Sequence, residues 1–392
     1  MSKKPEIKIE NALEEFFDRV FTTAVAYRAS DIHIEPENNL LRVRFRVDGV
    51  LREIEQHPIS ILESLVSRIK VLSEMDISEH RKPQDGRLEV SIEKKKLDVR
   101  VSTMPTIHGE NVAMRILDRS SDLLNLEVIG FSDKDLAQYQ ELITRPYGIV
   151  FITGPNGSGK TTAIYSSLNK INAIEKSIAT LEDPVEYQLP LIRQTQIEPG
   201  AGLTFATGLR ALLRQDPDVI LVGEIRDQTT AEIAVRSALT GHLVFTSLHT
   251  NDSVGAIARL QDMGVEPVLI ASATVGIIAT RLVRTVCPHC HKKYKADIGL
   301  AKELGIEMNA TLVKATGCER CGNTGYYGRT GIFELLVPDD EFRSAFLAKQ
   351  SFDELRRMAK KKGMSSLRQS GIAKIVAGVT TVEEVFRVTK AV

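Results

Sequence analysis

The sequence predicts an α/β protein whose main domain holds a parallel sheet, with a smaller α+β domain ahead of it. Between residues 136 and 280, short apolar runs alternate with helical patterns, which is typical of a parallel sheet covered on both faces. Residues 154–161 match the phosphate-binding pattern G-x-x-x-x-G-K-[ST]. Four cysteines stand in two C-x2-C pairs, which indicates a small metal-stabilised insert.

Length and composition are those of an ordinary globular protein. The chain has 392 residues, enough for roughly two or three domains with a large core. Lys+Arg and Asp+Glu both number 51, so no net charge attracts the chain to nucleic acid or membranes. The longest mainly apolar run, 268–279, is too short to span a bilayer, and the first residues lack the apolar core of a signal peptide. We expect a cytoplasmic protein that reaches a membrane only through partners.

The first domain is predicted over residues 1–118. Residues 41–47 place four apolar side chains on one face and three arginines on the other, as a half-buried strand does. Asp48-Gly49 then favours a hairpin turn. The predicted elements are a strand at 41–47, its hairpin partner at 50–54, a helix at 61–72 with Ile61, Leu65, Ile69 and Leu72 on one stripe, and strands at 97–101 and 111–117.

The rest of the chain divides by composition. A polar stretch, 119–135, is the predicted linker, and residues 136–280 are the predicted α/β core. The cysteines lie in a predicted insert at 281–335, and 336–392 has a helical pattern with a break at Gly378. The candidate core strands are 148–153, 178–182, 218–222 and 243–247.

The phosphate-binding loop stands between a strand and a helix. The run 148–153 is apolar and β-branched, and 162–170 has a helical pattern. In this context the glycines let backbone N–H groups converge on phosphate oxygens, Lys160 neutralises the β- and γ-phosphates, and Thr161 offers its hydroxyl to Mg²⁺. The sequence therefore predicts a site for a nucleoside triphosphate. Its predicted binding residues are Gly154, Pro155, Asn156, Gly157, Ser158, Gly159, Lys160, Thr161 and Thr162.

A triphosphatase also needs a carboxylate that orients or deprotonates water. Glu224 follows a buried strand, and Glu182, Asp183 and Glu186 close another. Taken alone, each is equally consistent with a solvated strand-end acid. Open α/β sheets, however, bind ligands at the carboxyl ends of parallel strands, which favours a catalytic role. Many such enzymes place Asp before this Glu, where this chain has Gly223, so Mg²⁺ must rely on the loop threonine, water and other carboxylates.

A fourth predicted strand ends at His249. Its imidazole and the hydroxyls of Thr246 and Ser247 are candidates for sensing the γ-phosphate through hydrogen bonds. A histidine that only caps the strand is about as consistent with the pattern.

Arginines complete the candidate site, because transition-state charge spreads over the γ-phosphate oxygens. Arg210 and Arg214 are four residues apart on a predicted helix and share a face. Arg226 closely follows the candidate glutamate, and Arg100 and Arg115 lie in apolar strands of the first domain. For any single one of them, a surface salt bridge is the alternative.

The four cysteines have the spacing of a zinc site. They are Cys287 and Cys290, then Cys318 and Cys321 after 27 intervening residues. Four thiolates in two tight pairs can surround one tetrahedral Zn²⁺. Disulfides are the alternative, but a reducing cytosol disfavours them. All four ligands would come from the protein, so the predicted zinc is structural.

Several short sequence motifs, which we call boxes, occur along the chain in the order found in the secretion-superfamily ATPases. The chain resembles specifically the assembly ATPases of type II secretion and type IV pili. The resemblance runs from about residue 25 to the end, and 325–335 is similar to the type II secretion form. The tetracysteine insert resembles the assembly branch of the family. The boxes are the phosphate loop, 180–186, 216–227 and 240–251, with 30–36, 42–49, 83–87, 100–105 and 108–118 ahead of them.

The resemblance implies a RecA-like P-loop domain, a PAS-like N-terminal domain and a ring of six subunits with ATP between the two domains. It implies that hydrolysis drives pseudopilus assembly and protein export through an inner-membrane platform protein. A bitopic inner-membrane protein would recruit the ATPase, usually through a further domain ahead of residues 30–33. The implied roles are Glu224 as base, Arg100 and Arg115 on the phosphates, the 42–46 arginines as structural, and Arg210, Arg214 and Arg226 as interface or coupling residues.

Three other functions fit parts of the sequence. The first is type IV pilus assembly or DNA uptake, which shares every box. The second is a nucleic-acid translocase, which zero net charge and the lack of a basic, aromatic-rich stripe disfavour. The third is a nucleotide switch without turnover, which Lys160 and Glu224 argue against.

Overall fold

The computed structural model describes residues 6–92, 95–117, 125–171 and 173–389. The chain divides into two compact units, residues 1–120 with 319–323, and residues 121–318 with 324–392. Part of the predicted linker, and the last residue of the box 108–118, fall at 118–124, outside the described residues. The finer division of the chain stays a prediction.

The first unit is built on a six-stranded antiparallel sheet of order β3-β2-β1-β6-β5-β4. Two helices share one apolar core with this sheet. The elements are α1 (Glu6–Ala26), β1 (Ala29–Pro36), β2 (Leu40–Val47), β3 (Val50–Pro58), α2 (Leu62–Leu72), β4 (Gln84–Ile92), β5 (Lys95–Thr106) and β6 (Gly109–Leu117).

The predicted two faces of β2 are confirmed. Leu41, Val43 and Phe45 are fully buried. The arginines between them pair with acids, Arg42 with Glu37 and Glu53, Arg44 with Glu35, and Arg46 with Asp31. These arginines therefore hold the sheet's outer face together.

The apolar stripe of α2 differs from the predicted one at its ends. Leu65 and Ile69 are fully buried as expected, but Leu72 is 42% exposed. The buried face starts at Leu62 and also uses Val66. The spacing i, i+3, i+4, i+7 of these four residues is that of one helix face.

The second unit has a seven-stranded sheet of order β15-β12-β7-β11-β10-β8-β9, which confirms the α/β class. All neighbours are parallel except β12 and β15. Its first half comprises α3 (Asp133–Ile143), β7 (Gly148–Thr153), α4 (Lys160–Lys170), β8 (Ile178–Glu182), β9 (Arg193–Gln196), α5 (Phe205–Leu212), β10 (Val219–Val222), α6 (Gln228–Leu239), β11 (Leu243–Leu248) and α7 (Ser253–Asp262).

The second half contains the cysteine segment and the C-terminal helices. It comprises α8 (Pro267–Ala273), β12 (Thr274–Val286), β13 (Lys292–Lys295), α9 (Ile298–Leu304), β14 (Thr311–Lys314), β15 (Tyr326–Leu336), α10 (Asp340–Leu347), α11 (Phe352–Lys361), α12 (Leu367–Val376) and α13 (Val382–Thr389). Gly378 follows α12 with a φ of 70°, so the predicted helix break is confirmed. Among the described helices, none is long and apolar enough to cross a bilayer.

The four predicted core strands are present as β7, β8, β10 and β11. The bounds of β7 and β8 are those predicted, and β10 and β11 each differ by one residue at one end. Every residue of these strands is buried. The sequences of these strands are continuous apolar runs because helices cover both faces of the sheet.

The long strand β12 crosses the boundary that the sequence predicted between the core, 136–280, and the cysteine insert, 281–335. The apolar run 268–279 is shared between α8 and β12, and β12 then continues past residue 281. It pairs with β15 in antiparallel register, so the strands flanking the cysteine segment belong to the main sheet. At its far end, Arg284 and Arg387 bind the buried Glu384 of α13, which docks the last helix on β12.

Candidate nucleotide-binding site

The phosphate loop connects the carboxyl end of β7 to the first turn of α4. Gly154 has a φ of 154°, and a Cβ there would lie 2.5 Å from Ser158 Oγ and 2.7 Å from the carbonyl oxygen of Thr280. Only glycine fits this close approach. The loop thus takes the conformation that the glycine pattern predicts.

Lys160 begins α4 and is held by the loop itself. Its Nζ donates to the carbonyl oxygens of Gly154 at 2.8 Å and Pro155 at 3.1 Å. Burial lowers the pKa of Lys160 to about 8, against the opposing charge of Glu224, while Arg281 lowers it further. The ammonium group is therefore partly desolvated at the loop.

A cavity of about 380 Å³ opens beside the loop. Its wall joins the loop and the start of α4 to the carboxyl ends of β8, β10 and β11. This is the edge where parallel α/β sheets bind ligands. Besides residues 156–159 of the loop, the lining includes the predicted site residues Lys160, Thr161, Thr162, Glu182, Glu186, Glu224 and His249.

Glu224 is oriented by two side chains at this edge. One carboxylate oxygen pairs with Arg226, and the other lies 3.4 Å from His249 Nε2. Arg226 also reaches Asp183 at 3.3 Å. Hydrogen bonding to Glu224, and then the charge of Asp183, raises the pKa of Arg226, although partial burial opposes the shift. The carboxylate remains 20% exposed on the cavity side.

Glu182 has different surroundings from Glu224. It is 4% exposed, and its two oxygens accept hydrogen bonds from the hydroxyl of Tyr165 on α4, from Thr180 Oγ1 at 2.5 Å and from Gln194 Nε2 at 3.1 Å. The same tyrosine hydroxyl accepts from the backbone N–H of Glu186 at 3.2 Å. Burial and the charge of Glu182 raise the pKa of Tyr165. This buried network ties the helix after the phosphate loop to β8 and β9.

Gly223 stands directly before Glu224, at the position where many such enzymes have Asp. A Cβ there would lie 3.2 Å from the carbonyl oxygen of Leu181 and 3.4 Å from Glu182 Cα. Both atoms belong to backbone, so a side chain at this position would press β10 and β8 apart. Ser247 Oγ donates to the Gly223 carbonyl at 2.7 Å.

The segment after β11 is fixed to the end of β7. The N–H of Thr250 donates to Thr153 Oγ1 at 2.9 Å, and the two threonine hydroxyls are 2.7 Å apart. Ser247 and His249 line the cavity, whereas Thr246 is fully buried within β11.

The remaining predicted arginines lie outside this cavity. Arg210 and Arg214 are exposed, and Arg214 donates to the Arg210 carbonyl at 2.8 Å. Arg100 and Arg115 belong to the first unit, where they are register partners on β5 and β6. Arg115 also pairs with Asp31 at 3.1 Å.

Several site residues were not predicted from the sequence, among them Tyr165 and four residues of β12 and β15. Leu282 and Arg329 line the cavity from β12 and β15. Thr280 and Arg281 contact the phosphate loop and the segment after β11, with Arg281 donating to Asn251. An arginine that interrupts a long apolar strand was the available signal in the sequence.

The four cysteines come together as their spacing predicts. Their sulfur atoms all lie within 4.8 Å of one another, and Cys287 Sγ is 3.9 Å from Cys318 Sγ. All four are free thiols in the structure. A tetrahedral Zn²⁺ with Zn–S bonds of about 2.3 Å holds its sulfurs about 3.8 Å apart, so this donor set fits that metal.

The fold and the site define a phosphate-loop nucleoside triphosphatase of the α/β class. The family model described as Type II/IV secretion system protein matches residues 6–387. The chain belongs to this family. The predicted membership in the type II/IV secretion ATPases, and the prediction of an ATPase, are thereby confirmed.

Relatives on both branches of the family are similar over nearly the whole chain. Type II secretion system protein E of Dickeya dadantii is 50% identical over 386 residues, covering 98% of this chain and 76% of the relative. Its namesake in Pseudomonas aeruginosa is 49% identical over 388 residues, with the same coverage. Type IV pilus assembly ATPase PilB of Thermus thermophilus is 48% identical over 380 residues, covering 96% of this chain and 43% of the relative.

Solved structures share the fold at lower identity. The Legionella pneumophila ATPase DotB superposes with a TM-score of 0.70 at 22% identity, covering 96% of this chain and 95% of DotB. The pilus retraction motor PilT with bound ADP superposes with a TM-score of 0.61 at 24% identity, covering 95% and 97%. Both support the fold class predicted from the sequence.

Proposed function

We propose that this chain hydrolyses ATP to ADP and phosphate and so powers a type II secretion system. One observation carries the proposal: the phosphate loop and the Glu224 carboxylate line the same cavity. A phosphate loop recognises the triphosphate, and a carboxylate opposite it supplies the group that activates water.

The chemistry follows from these positions. Water attacks the γ-phosphorus, the bond from that phosphorus to the β,γ-bridging oxygen breaks, and ADP leaves. Glu224 accepts the proton of the attacking water, and Lys160 with the loop N–H groups holds the phosphate charge. The hydroxyl of Thr161 would hold Mg²⁺, which when bound neutralises the β- and γ-phosphate oxygens.

The roles of the other acids and His249 are also proposals. Glu186 reaches the cavity and is a candidate for the outer ligands of Mg²⁺. Glu182 is the buried anchor of α4, and its two engaged oxygens support a positioning role. His249 lies against Glu224 and is suited to report γ-phosphate occupancy.

Two further residues suit the nucleoside part of ATP. Leu282 offers an apolar side chain and Arg329 a planar guanidinium, both on the cavity wall. A purine ring stacks on surfaces of these two kinds. We assign them to the base.

The arginines outside the cavity fit a multisubunit site. We assign Arg100 and Arg115 to the phosphates of a nucleotide bound between the two domains. Arg210, Arg214 and Arg226 are assigned to subunit contacts and coupling. The Arg210 guanidinium is exposed and has no ion-pair partner among the described residues, which supports this assignment for Arg210.

We assign one structural Zn²⁺ to Cys287, Cys290, Cys318 and Cys321. The clustered sulfurs support the assignment. With four protein ligands the site has no open position for chemistry.

The proposed assembly is a homo-hexamer in the cytoplasm, recruited to the inner membrane by a platform protein and a bitopic membrane protein. The many relatives named for type II secretion support this branch. Type IV pilus assembly is the second candidate, because PilB of Thermus thermophilus is 48% identical.

Glu224→Gln tests the proposal. The amide keeps the shape of the side chain but cannot accept a proton, so MgATP should still bind while the phosphate-release rate falls by about 100-fold or more. Glu141→Gln, on the exposed face of α3, is the matched control and should turn over normally. Normal turnover by Glu224→Gln, or a wild-type protein that releases no phosphate, would refute the assignment.

A further inference from the structure

Two consecutive residues of β12 contact the two sides of the active site. β12 runs parallel to β7, and Ala279 is the register partner of Thr153, the last residue of β7. The strand therefore continues beyond β7, alongside the phosphate loop. Thr280 and Arg281 are its next residues.

Thr280 contacts the phosphate loop. Its Oγ1 donates to the Ser158 carbonyl at 3.0 Å in a buried hydrogen bond. Its own carbonyl oxygen lies so close to Gly154 that a Cβ on that glycine would be 2.7 Å away. Thr280 of β12 thus contacts both the start and the middle of the loop.

Arg281 contacts the segment after β11. Its Nη2 donates to the carbonyl oxygen of Asn251 at 3.0 Å and to Asn251 Oδ1 at 3.3 Å, while Nη1 donates to the Thr280 carbonyl at 3.0 Å. No carboxylate of the described residues lies within 4.0 Å of this half-buried guanidinium. Its hydrogen bonds therefore go to neutral oxygens, while the charges of Glu334 and Asp252 act on it from farther away.

The segment that Arg281 holds also carries His249. Asn251 comes two residues after His249, whose Nε2 faces Glu224 at 3.4 Å. Between them, Thr250 is bound to Thr153. Residues 249–251 are consequently fixed at two points, the end of β7 and the guanidinium of Arg281.

We propose that Arg281 is a positioning residue for ATP hydrolysis. By holding Asn251 against β12, it fixes His249 beside Glu224 and so sets the place of that carboxylate relative to the phosphate loop. The inference rests on the proposed function. Arg281 is not among the described residues that line the cavity, so it acts through these contacts.

Arg281→Gln tests the inference by removing the guanidinium group and its paired N–H donors. The kcat for phosphate release should fall by about 10- to 100-fold, because small displacements of catalytic groups have effects of this size. At pH 7, where Lys160 is mostly charged in both proteins, the Kd for a non-hydrolysable MgATP analogue should stay near the wild-type value. The thermal midpoint should fall only slightly. Arg281→Lys keeps the positive charge but lacks the planar guanidinium, so its kcat should stay close to that of Arg281→Gln. Arg236→Gln, exposed on α6, is the matched control.

A double variant separates positioning from general weakening. If Arg281 acts through His249, the variant Arg281→Gln with His249→Ala should be no slower than the slower single variant. The inference would be overturned if the kcat losses of the two single variants multiplied in the double variant. An unchanged kcat in Arg281→Gln, or a loss confined to nucleotide affinity, would overturn it too. In each of these cases, turnover by the wild type leaves the proposed function standing. A wild type without turnover would overturn both.

Discussion

At the scale of single residues, burial separates two glutamates that the sequence treats alike. Glu182 ends β8, and Glu224 follows the end of β10 by two residues at the same edge of the sheet. Glu182 is enclosed and has hydrogen bonds to both oxygens, which suits a carboxylate held in one position. Glu224 keeps an exposed face on the cavity, which suits a group that exchanges protons with water.

The pKa of Lys160 leads to a prediction at this scale. Burial lowers that pKa to about 8, so the ammonium loses its proton as pH rises through 8. The charged form binds the phosphates, so affinity for MgATP is complete below pH 8 and should fall by about tenfold per pH unit above it. Calorimetric titration of a non-hydrolysable MgATP analogue from pH 7 to 9.5 measures this slope.

Lys160→Arg is the control for the pH dependence. A guanidinium stays charged across this pH range. The variant's affinity for MgATP should therefore be lower than that of the wild type but should not change with pH. The same slope in both proteins would mean that another group titrates. Lys160→Ala should lose nucleotide binding at every pH.

At the scale of elements, β12 organises the second unit. It pairs with β7 and β15, holds the phosphate loop through Thr280 and anchors α13 through Arg284. The cysteine segment leaves the sheet at its end and returns in β15. A metal that fixes this segment therefore also fixes the spacing of two strands that border the cavity.

The zinc assignment gives a prediction at this scale. We expect one zinc per chain in freshly reduced protein, measured by elemental analysis. Cys318→Ser removes one thiolate and should lose the metal and lower the thermal midpoint, because the bound metal would tie the two C-x2-C turns together. Glu319→Gln, exposed in the same turn, should keep both. Metal-free wild-type protein, or disulfides among these cysteines, would contradict the assignment.

At the scale of the whole molecule, the proposed ring places residues of the first unit on the phosphates. If the active site forms between subunits, phosphate release per subunit should rise with protein concentration and then level off. Arg100→Ala should lower kcat at the plateau by about 10- to 100-fold through lost stabilisation of phosphate charge. Steady-state assays combined with sedimentation across the same concentrations measure both effects.

Arg68→Ala is the control for this experiment, since Arg68 forms a surface pair with Glu14. It should leave the plateau unchanged. A specific activity independent of concentration in a monomeric protein would contradict the ring.

Much of this fold and site is predictable from the sequence. The bounds of β7 and β8, the phosphate loop and the cysteine cluster follow from contiguous patterns. Neither α1, β1 nor β4 was predicted from the sequence. Leu72 was predicted on the buried stripe of α2, because a helical period does not say where a helix leaves its sheet.

By itself, the sequence determined those features that depend on neighbours along the chain, such as the turn geometry of the loop glycines and the period of each element. Tertiary structure alone decided that Glu182 is enclosed and that Arg281 reaches Asn251, 30 residues away. The physical reason is the order of strands in the sheet. β7 lies between β12 and β11, and this order brings residues far apart in sequence to one edge.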